Sequence, residues 1–279
     1  MIRSAVFQPS APLREYVRAF QLIETGVRDG VHVRPIIART DLVLAFALES
    51  EPSRAFEFGN TTPRTMPNSV LVGPQTRRRA DLWLGNRWRS FAIHFQPAGF
   101  LRLFHASIVA FTDQAVDASD VIGADIARFR ETLCDAGTPR ALVQTAETFL
   151  QRRIATARDA HPTARAASAM LDSHGRLSVG DAIRHTGLSP RHFERRFLEQ
   201  MGMAPKRYAR VARLNFVLKL KHRQPRWNWA QISQEAGYFD QTHLAKDFRS
   251  MIGMSPAEYV RSAPPADGGF LLSSANAAI

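Results

Sequence analysis

The sequence predicts an α+β protein, with a β-rich N-terminal domain closed by helices and an all-α C-terminal domain of two helix-turn-helix units joined by a long helix. Three observations predict it. Short apolar segments punctuated by Pro and Gly fill the first 95 residues, a helical period takes over from Ala98, and one pattern occurs twice in the last third. A length of 279 residues suits two ordinary domains, and 45% apolar with 22% charged residues is a globular composition.

In chain order, strands are expected at 41–49, 54–58, 69–73, 80–84 and 88–95, with Gly85–Asn86 as a hairpin turn between the last two. Apolar spacing then predicts helices within 98–108, 118–136 and 139–160. Cys134 falls in one of these and reads as a buried small hydrophobe. The first 158 residues form the expected N-terminal domain, 159–165 (DAHPTAR) a linker, 166–262 the second domain, and 263–279 a flexible tail rich in Ala, Pro, Gly and Ser.

The repeat is in register over its whole length. Gly187 pairs with Gly237 at an offset of 50, and after one extra residue the offset is 51. Phe197 then pairs with Phe248, Gly202 with Gly253, Pro205 with Pro256, Tyr208 with Tyr259 and Arg210 with Arg261. In the first copy Ser178 can cap a helix through Ala182 and Ile183, and Gly187 follows its end. Ser189 caps a second helix with Pro190 in its first turn. Phe193, Phe197 and Met201, four apart, mark its buried face, leaving Arg191, Arg195 and Arg196 mostly opposite. In the second copy Asp240 caps a helix burying Leu244 and Phe248 and exposing Gln241, Thr242, His243, Lys246 and Arg249. Between the copies, 205–223 has helical spacing, and about 17 residues give a rod of roughly 25 Å, comparable to one DNA turn of ~34 Å.

Charge follows the same division. Residues 1–160 hold 20 Lys+Arg against 16 Asp+Glu, whereas 161–262 hold 17 against 8 and all four lysines. Of the net +12, most therefore lies where a polyanion such as double-stranded DNA would be gripped.

GLSPRHFERRF, then Arg213–Leu214, AGYFDQTHLAKDF and GMSPAEYVR resemble the AraC/XylS family of bacterial transcription regulators over about residues 165–262. Lys246 stands where arginine is common in that family, and Tyr238 replaces the usual phenylalanine. The resemblance implies both second helices in major grooves. Arg191, Glu194, Arg195, Gln241, Thr242, His243 and Lys246 would then face bases. Ser189, His192, Arg196, Asp240 and Arg249, at the helix starts and flanks, would hold phosphates. FQPAGFLRLF resembles the sensor halves of one branch of the family, which implies a cupin-like β-barrel with appended helices, a possible small-molecule effector, and a homodimer through helices between Ala124 and Arg158. RNA polymerase is a further partner such a regulator would meet. Trp83, Trp88 and His94 are the candidate pocket residues, a packed barrel without ligand being the alternative. The run Arg77–Arg79 reads as a solvated loop, or as a contact to an acidic ligand or the DNA backbone.

Other classes find less support. One cysteine excludes an internal disulfide framework, and the scattered His32, His94 and His105 contain no His-x-His for a cupin metal centre. No catalytic residue, metal or cofactor is expected, so an enzyme fused to a DNA-binding module is disfavoured. An architectural DNA protein without a small-molecule response is not separated from a regulator. The absence of a signal-like start and of a long apolar run leads to the expectation of a cytoplasmic protein that does not enter the membrane.

Overall fold

The computed structural model describes residues 2–25, 32–50, 53–57, 62–84 and 88–262. The N-terminal strands are β1 (Ile2–Phe7), β2 (Val17–Thr25), β3 (His32–Ile36), β4 (Val43–Ser50), β5 (Arg54–Glu57), β6 (Arg64–Thr65), β7 (Ser69–Val72), β8 (Ala80–Leu84), β9 (Trp88–Phe95) and β10 (Ala115–Asp117). They form a six-stranded sheet ordered β1-β2-β9-β4-β7-β10 and a four-stranded sheet ordered β3-β8-β5-β6. Every described pairing is antiparallel. The expected hairpin across Gly85–Asn86 is not formed. β8 pairs with β3 and β5, and β9 with β2 and β4, so these chain neighbours lie in different sheets. Gly85–Asn86 itself lies outside the described residues.

Helices α1 (Gly99–Phe104), α2 (Ser119–Ile122), α3 (Asp125–Cys134) and α4 (Pro139–Ile154) follow. They close one apolar core: Phe20, Phe46, Phe91 and Phe95 from the large sheet pack with Phe100, Phe129, Leu142 and Leu150. Cys134 is half-buried on α3, its thiol 3.4 Å from the Leu48 carbonyl.

The second domain comprises α5 (Pro162–Asp172), α6 (Val179–Arg184), α7 (Pro190–Met201), α8 (Pro205–Arg223), α9 (Trp229–Glu235), α10 (Gln241–Ile252) and α11 (Pro256–Ser262). Residues 162–165, expected in the linker, instead begin α5. Pro162 sits in its first turn, the His161 side chain accepts from the Thr163 amide, and Ala164 and Ala167 enter the core. At 19 residues α8 is about 28 Å long, slightly more than expected. No described helix is long and apolar enough to cross a membrane. The tail at 263–279 lies outside the described residues.

The domains share a packed boundary. Ile37, Ala38 and Ala98 of the first join the apolar core of the second. The Thr112 hydroxyl donates to the Gly202 carbonyl at 2.8 Å, and the Arg78 amide donates to the Met251 carbonyl at 2.7 Å. The Arg207 guanidinium donates to the Thr76 carbonyl, and Asp113 accepts from the Thr76 amide and hydroxyl, both at 2.7 Å. Arg77–Arg79 is thus a docking loop rather than a purely solvated one. The boundary grips the C-terminal ends of both α7 and α10.

Gly187 and Gly202 separate backbone strain from this contact. Both have positive φ, 68° and 72°. A Cβ at Gly187 meets nothing within 4 Å, whereas one at Gly202 collides with Thr112 and touches Ile108 and Pro74. Gly187→Ala should cost about 1 kcal/mol from the left-handed backbone alone. Gly202→Ala should cost about 1–3 kcal/mol more, measured by chemical unfolding. Equal losses would show that the boundary carries no stability.

Candidate nucleic-acid interface

In the first unit, the Ser178 side chain accepts from the Asp181 amide at 3.0 Å and starts α6. The chain turns through Gly187, and Ser189 accepts from the His192 amide at 3.4 Å with Pro190 opening α7. Phe193, Phe197 and Met201 are buried, and Phe197 meets Tyr208 of α8 edge-on at 5.2 Å. Arg191, Glu194, Arg195 and Arg196 are all exposed. Arg196 is partly engaged with Glu199 at 3.1 Å and with the His192 ring at 3.4 Å.

The second unit repeats the construction. Asn228 and Gln231 form a reciprocal cap at the start of α9, each bond 2.9 Å. Asp240 accepts from the His243 amide at 2.7 Å and starts α10. Leu244 and Phe248 are buried, with Phe248 edge-on to both Trp229 and Tyr259. Gln241, Thr242, His243, Lys246 and Arg249 are exposed. Both second helices therefore show one apolar face inward and one cationic or amide-bearing face to solvent. Ser189 and Asp240 spend their side-chain oxygens on their own caps. Any phosphate they help to hold would meet the helix-start amides instead.

A buried carboxylate locks the second unit to α8. Asp247 accepts from the Arg210 guanidinium and, at 3.1 Å, from the Tyr238 hydroxyl. Tyrosine at position 238 thus has a partner that phenylalanine could not use. Arg213 lies 5.5 Å above the Tyr238 ring and donates to the Gly175 carbonyl at 2.7 Å. Asp247 has no role of its own in the sequence reading, and Arg210 enters it only as the repeat partner of Arg261. The available signal was a lone carboxylate beside Phe248 on the apolar side of α10.

Not every lysine serves the electrostatic footprint. Burial, with Arg18 nearby, pulls the half-buried Lys219 ammonium down to about 8.

The N-terminal domain contains a cavity of about 100 Å³ with mostly apolar walls, including Ile23, Val43, Phe46 and Trp88. Gln21, Arg39 and His94 supply polar edges. Arg39 grips both oxygens of Asp41 at 2.8 Å, and the His94 ring nitrogens lie 3.0 Å from Asp41 and 3.1 Å from Gln21. Burial alone would raise the Asp41 carboxyl, but Arg39 and hydrogen bonds from its neighbours hold it well below the usual range. Burial lowers the His94 imidazole against the opposing pull of Asp41, which keeps the ring neutral at neutral pH. The structure brings Trp88 and His94 to this cavity but not Trp83. Strand alternation turns Leu82 inward and leaves Trp83 37% exposed, against Phe56 at 4.3 Å. Among the described residues no group of His, Cys, Asp and Glu could hold a metal ion.

A family model for a helix-turn-helix domain matches residues 182–262, and one for a domain of unknown function (DUF6597) matches residues 5–117. None of the curated proteins compared matches the chain. Solved structures of ToxT from Vibrio cholerae are similar. The P21 crystal form is 11% identical, covers 93% of this chain and 98% of its own, and has a TM-score of 0.49. ToxT from strain O395 is 11% identical, covers 93% and 97%, and has a TM-score of 0.47. Wild-type ToxT from strain SCE256, bound to an unsaturated fatty acid, is 11% identical, covers 93% and 94%, and has a TM-score of 0.45. The duplicated C-terminal domain is a DNA-binding domain of helix-turn-helix type. Over residues 182–262 the match agrees with the resemblance of the sequence to the AraC/XylS family of transcription regulators.

Lys219 yields a pH test. Its folded value of about 8 lies below that of an unfolded lysine, so the native state resists its protonation. The penalty is full below pH 8 and fades as pH rises toward about 10.4, the unfolded value. Lys219→Met should stabilise the protein at pH 7 by on the order of 2 kcal/mol, with the gain shrinking above pH 8. A gain independent of pH would assign the effect to packing.

Proposed function

We propose that the chain recognises one defined site of roughly two helical turns, with α7 and α10 in successive major grooves of the same duplex. The observation that carries this reading is the matched pair of exposed polar faces on two capped helices, each packed on the central α8. Arg191 and Arg195 suit guanine O6 and N7, Gln241 suits adenine, and Glu194 suits the amino group of cytosine. Thr242, His243 and Lys246 complete the base-facing set, Lys246 as a point charge without a guanidinium's planar fork. His192, Arg196 and Arg249, with the helix starts at Ser189 and Asp240, position the duplex through phosphates.

For the N-terminal domain, an opened cupin-like barrel that senses a small effector is the reading the cavity supports. Apolar walls with a few convergent polar groups suit a small, largely apolar molecule. Its volume of about 100 Å³ approaches the ~150 Å³ cavity that admits benzene. The route outward is short. The Arg39 backbone is bonded to Gln75 in both directions, and Thr76 and Arg78 contact the DNA-binding domain. Thr40 and the buried Tyr208 of α8 line the same small pocket at the boundary. A change at the cavity can therefore reach both reading helices. The exposed groove between α3 and α4 is the proposed homodimer surface. RNA polymerase is the proposed downstream partner and the cytoplasm the proposed compartment. The proposed role is that of a regulator rather than an enzyme.

The test is binding of Arg195→Ala and Lys246→Ala to a duplex selected in vitro with the full-length protein, and to random duplex. Each variant should weaken binding to the selected duplex by about 1–3 kcal/mol and flatten sequence preference at one position. Equal losses on both duplexes would assign these side chains to phosphates. A wild-type protein that coats both duplexes alike would favour an architectural protein.

A further inference from the structure

Two helices in successive major grooves leave a minor groove between them, and its flanking backbone must cross the middle of the domain. The protein has a groove there of about 740 Å³. One wall is the start of the first unit, around Arg176 and Ser178. The floor is α8, with Lys206 and Arg210. The far wall is the turn of the second unit and α10, with Phe239 and Lys246.

Its chemistry is one-sided. Arg176, Lys206 and Lys246 are exposed, and the Arg210 side chain is 41% exposed although held by Asp247. Asp247, the one carboxylate among the lining residues, is already satisfied by Arg210 and Tyr238. A second observation concerns Gly237. A Cβ there would come within 3.2 Å of the Arg176 methylenes, so the bare backbone lets this arginine of the first unit lie across the turn of the second. Phe239, 91% exposed, stands at the rim beside His243. An aromatic ring in that place suits the apolar face of a deoxyribose.

We propose that this groove seats the DNA backbone strand running between the two major grooves, with Arg176 and Lys206 neutralising its phosphates and Phe239 covering a sugar. The proposal rests on the two-helix DNA reading and adds a third, sequence-independent grip between the two reading heads. It assigns α8 a contact role besides its role as spacer.

The experiment uses the full-length protein, the selected duplex and a random duplex of equal length, with affinity measured across a salt series. Lys206→Ala and Arg176→Ala should each weaken both duplexes by the same factor, about three- to tenfold at moderate salt. Each should make the slope of log affinity against log salt shallower by about 1. Lys206→Arg should keep the wild-type slope. A scan of uncharged methylphosphonate linkages should find a position between the two protected major grooves where wild type is weakened and Lys206→Ala is not. Wild-type affinity and slope in both alanine variants would overturn the proposal, as would an acidic protein covering the groove, which leaves DNA binding unchanged. A loss confined to the selected duplex would also overturn it, because it would mean base reading. Failure of the two-helix reading shows separately, as a wild-type protein with no preference for the selected duplex.

Discussion

The structure depends on one constraint: the two helix-turn-helix units must hold a fixed relation, and α8 with the carboxylate of Asp247 imposes it. Apolar packing supplies most of the attachment, through Tyr208, Val211, Leu214, Val217 and Leu218 on the buried side of α8. The hydrophobic attraction behind this packing is not itself directional. The Asp247–Arg210–Tyr238 arrangement is directional. Removing any member strands buried polar or charged groups, a penalty larger than the net gain of forming the bonds. The lock therefore contributes more to geometry than to stability, and geometry is what a two-headed reader of DNA requires.

The N-terminal domain extends this constraint. Its loop through Thr76 and Arg78, with Thr112 and Asp113 beside it, touches the last turn of α7, the first turn of α8 and the last turn of α10. These contacts leave the reading faces of α7 and α10 open to solvent. On the proposed reading, the domain acts on how these helices are held rather than by covering them. Arg39 and Thr40 lie between the cavity and this boundary, with Ile37 and Ala38 already in the DNA-binding core. A single short segment thus borders both the cavity and the DNA-binding domain.

The C-terminal half was legible because its determinants are local. Ser178, Ser189 and Asp240 cap where expected, and Phe193, Phe197, Leu244 and Phe248 are buried as their spacing implies. The sheet domain was less legible. β2 is buried along nearly its whole length, so it lacks the alternation that marks a strand with one wet face. β8 and β9 are close in sequence but pair in different sheets, which local turn chemistry does not reveal. Trp83 and Trp88 look equivalent as flanks of one turn, yet strand register places only Trp88 at the cavity. The polar contacts between distant segments, Thr112 with Gly202 and Arg207 with Thr76, leave no periodic trace.

Two helices held at a fixed spacing should engage one duplex together. The most direct measurement is a hydroxyl-radical footprint and affinity on the selected site, before and after inserting half a helical turn between its two contacted segments. Two protected patches are expected on one face, about 10 base pairs apart, with loss of tight binding when about 5 base pairs rotate one patch to the far side. A single protected patch, or affinity indifferent to the insertion, would contradict it.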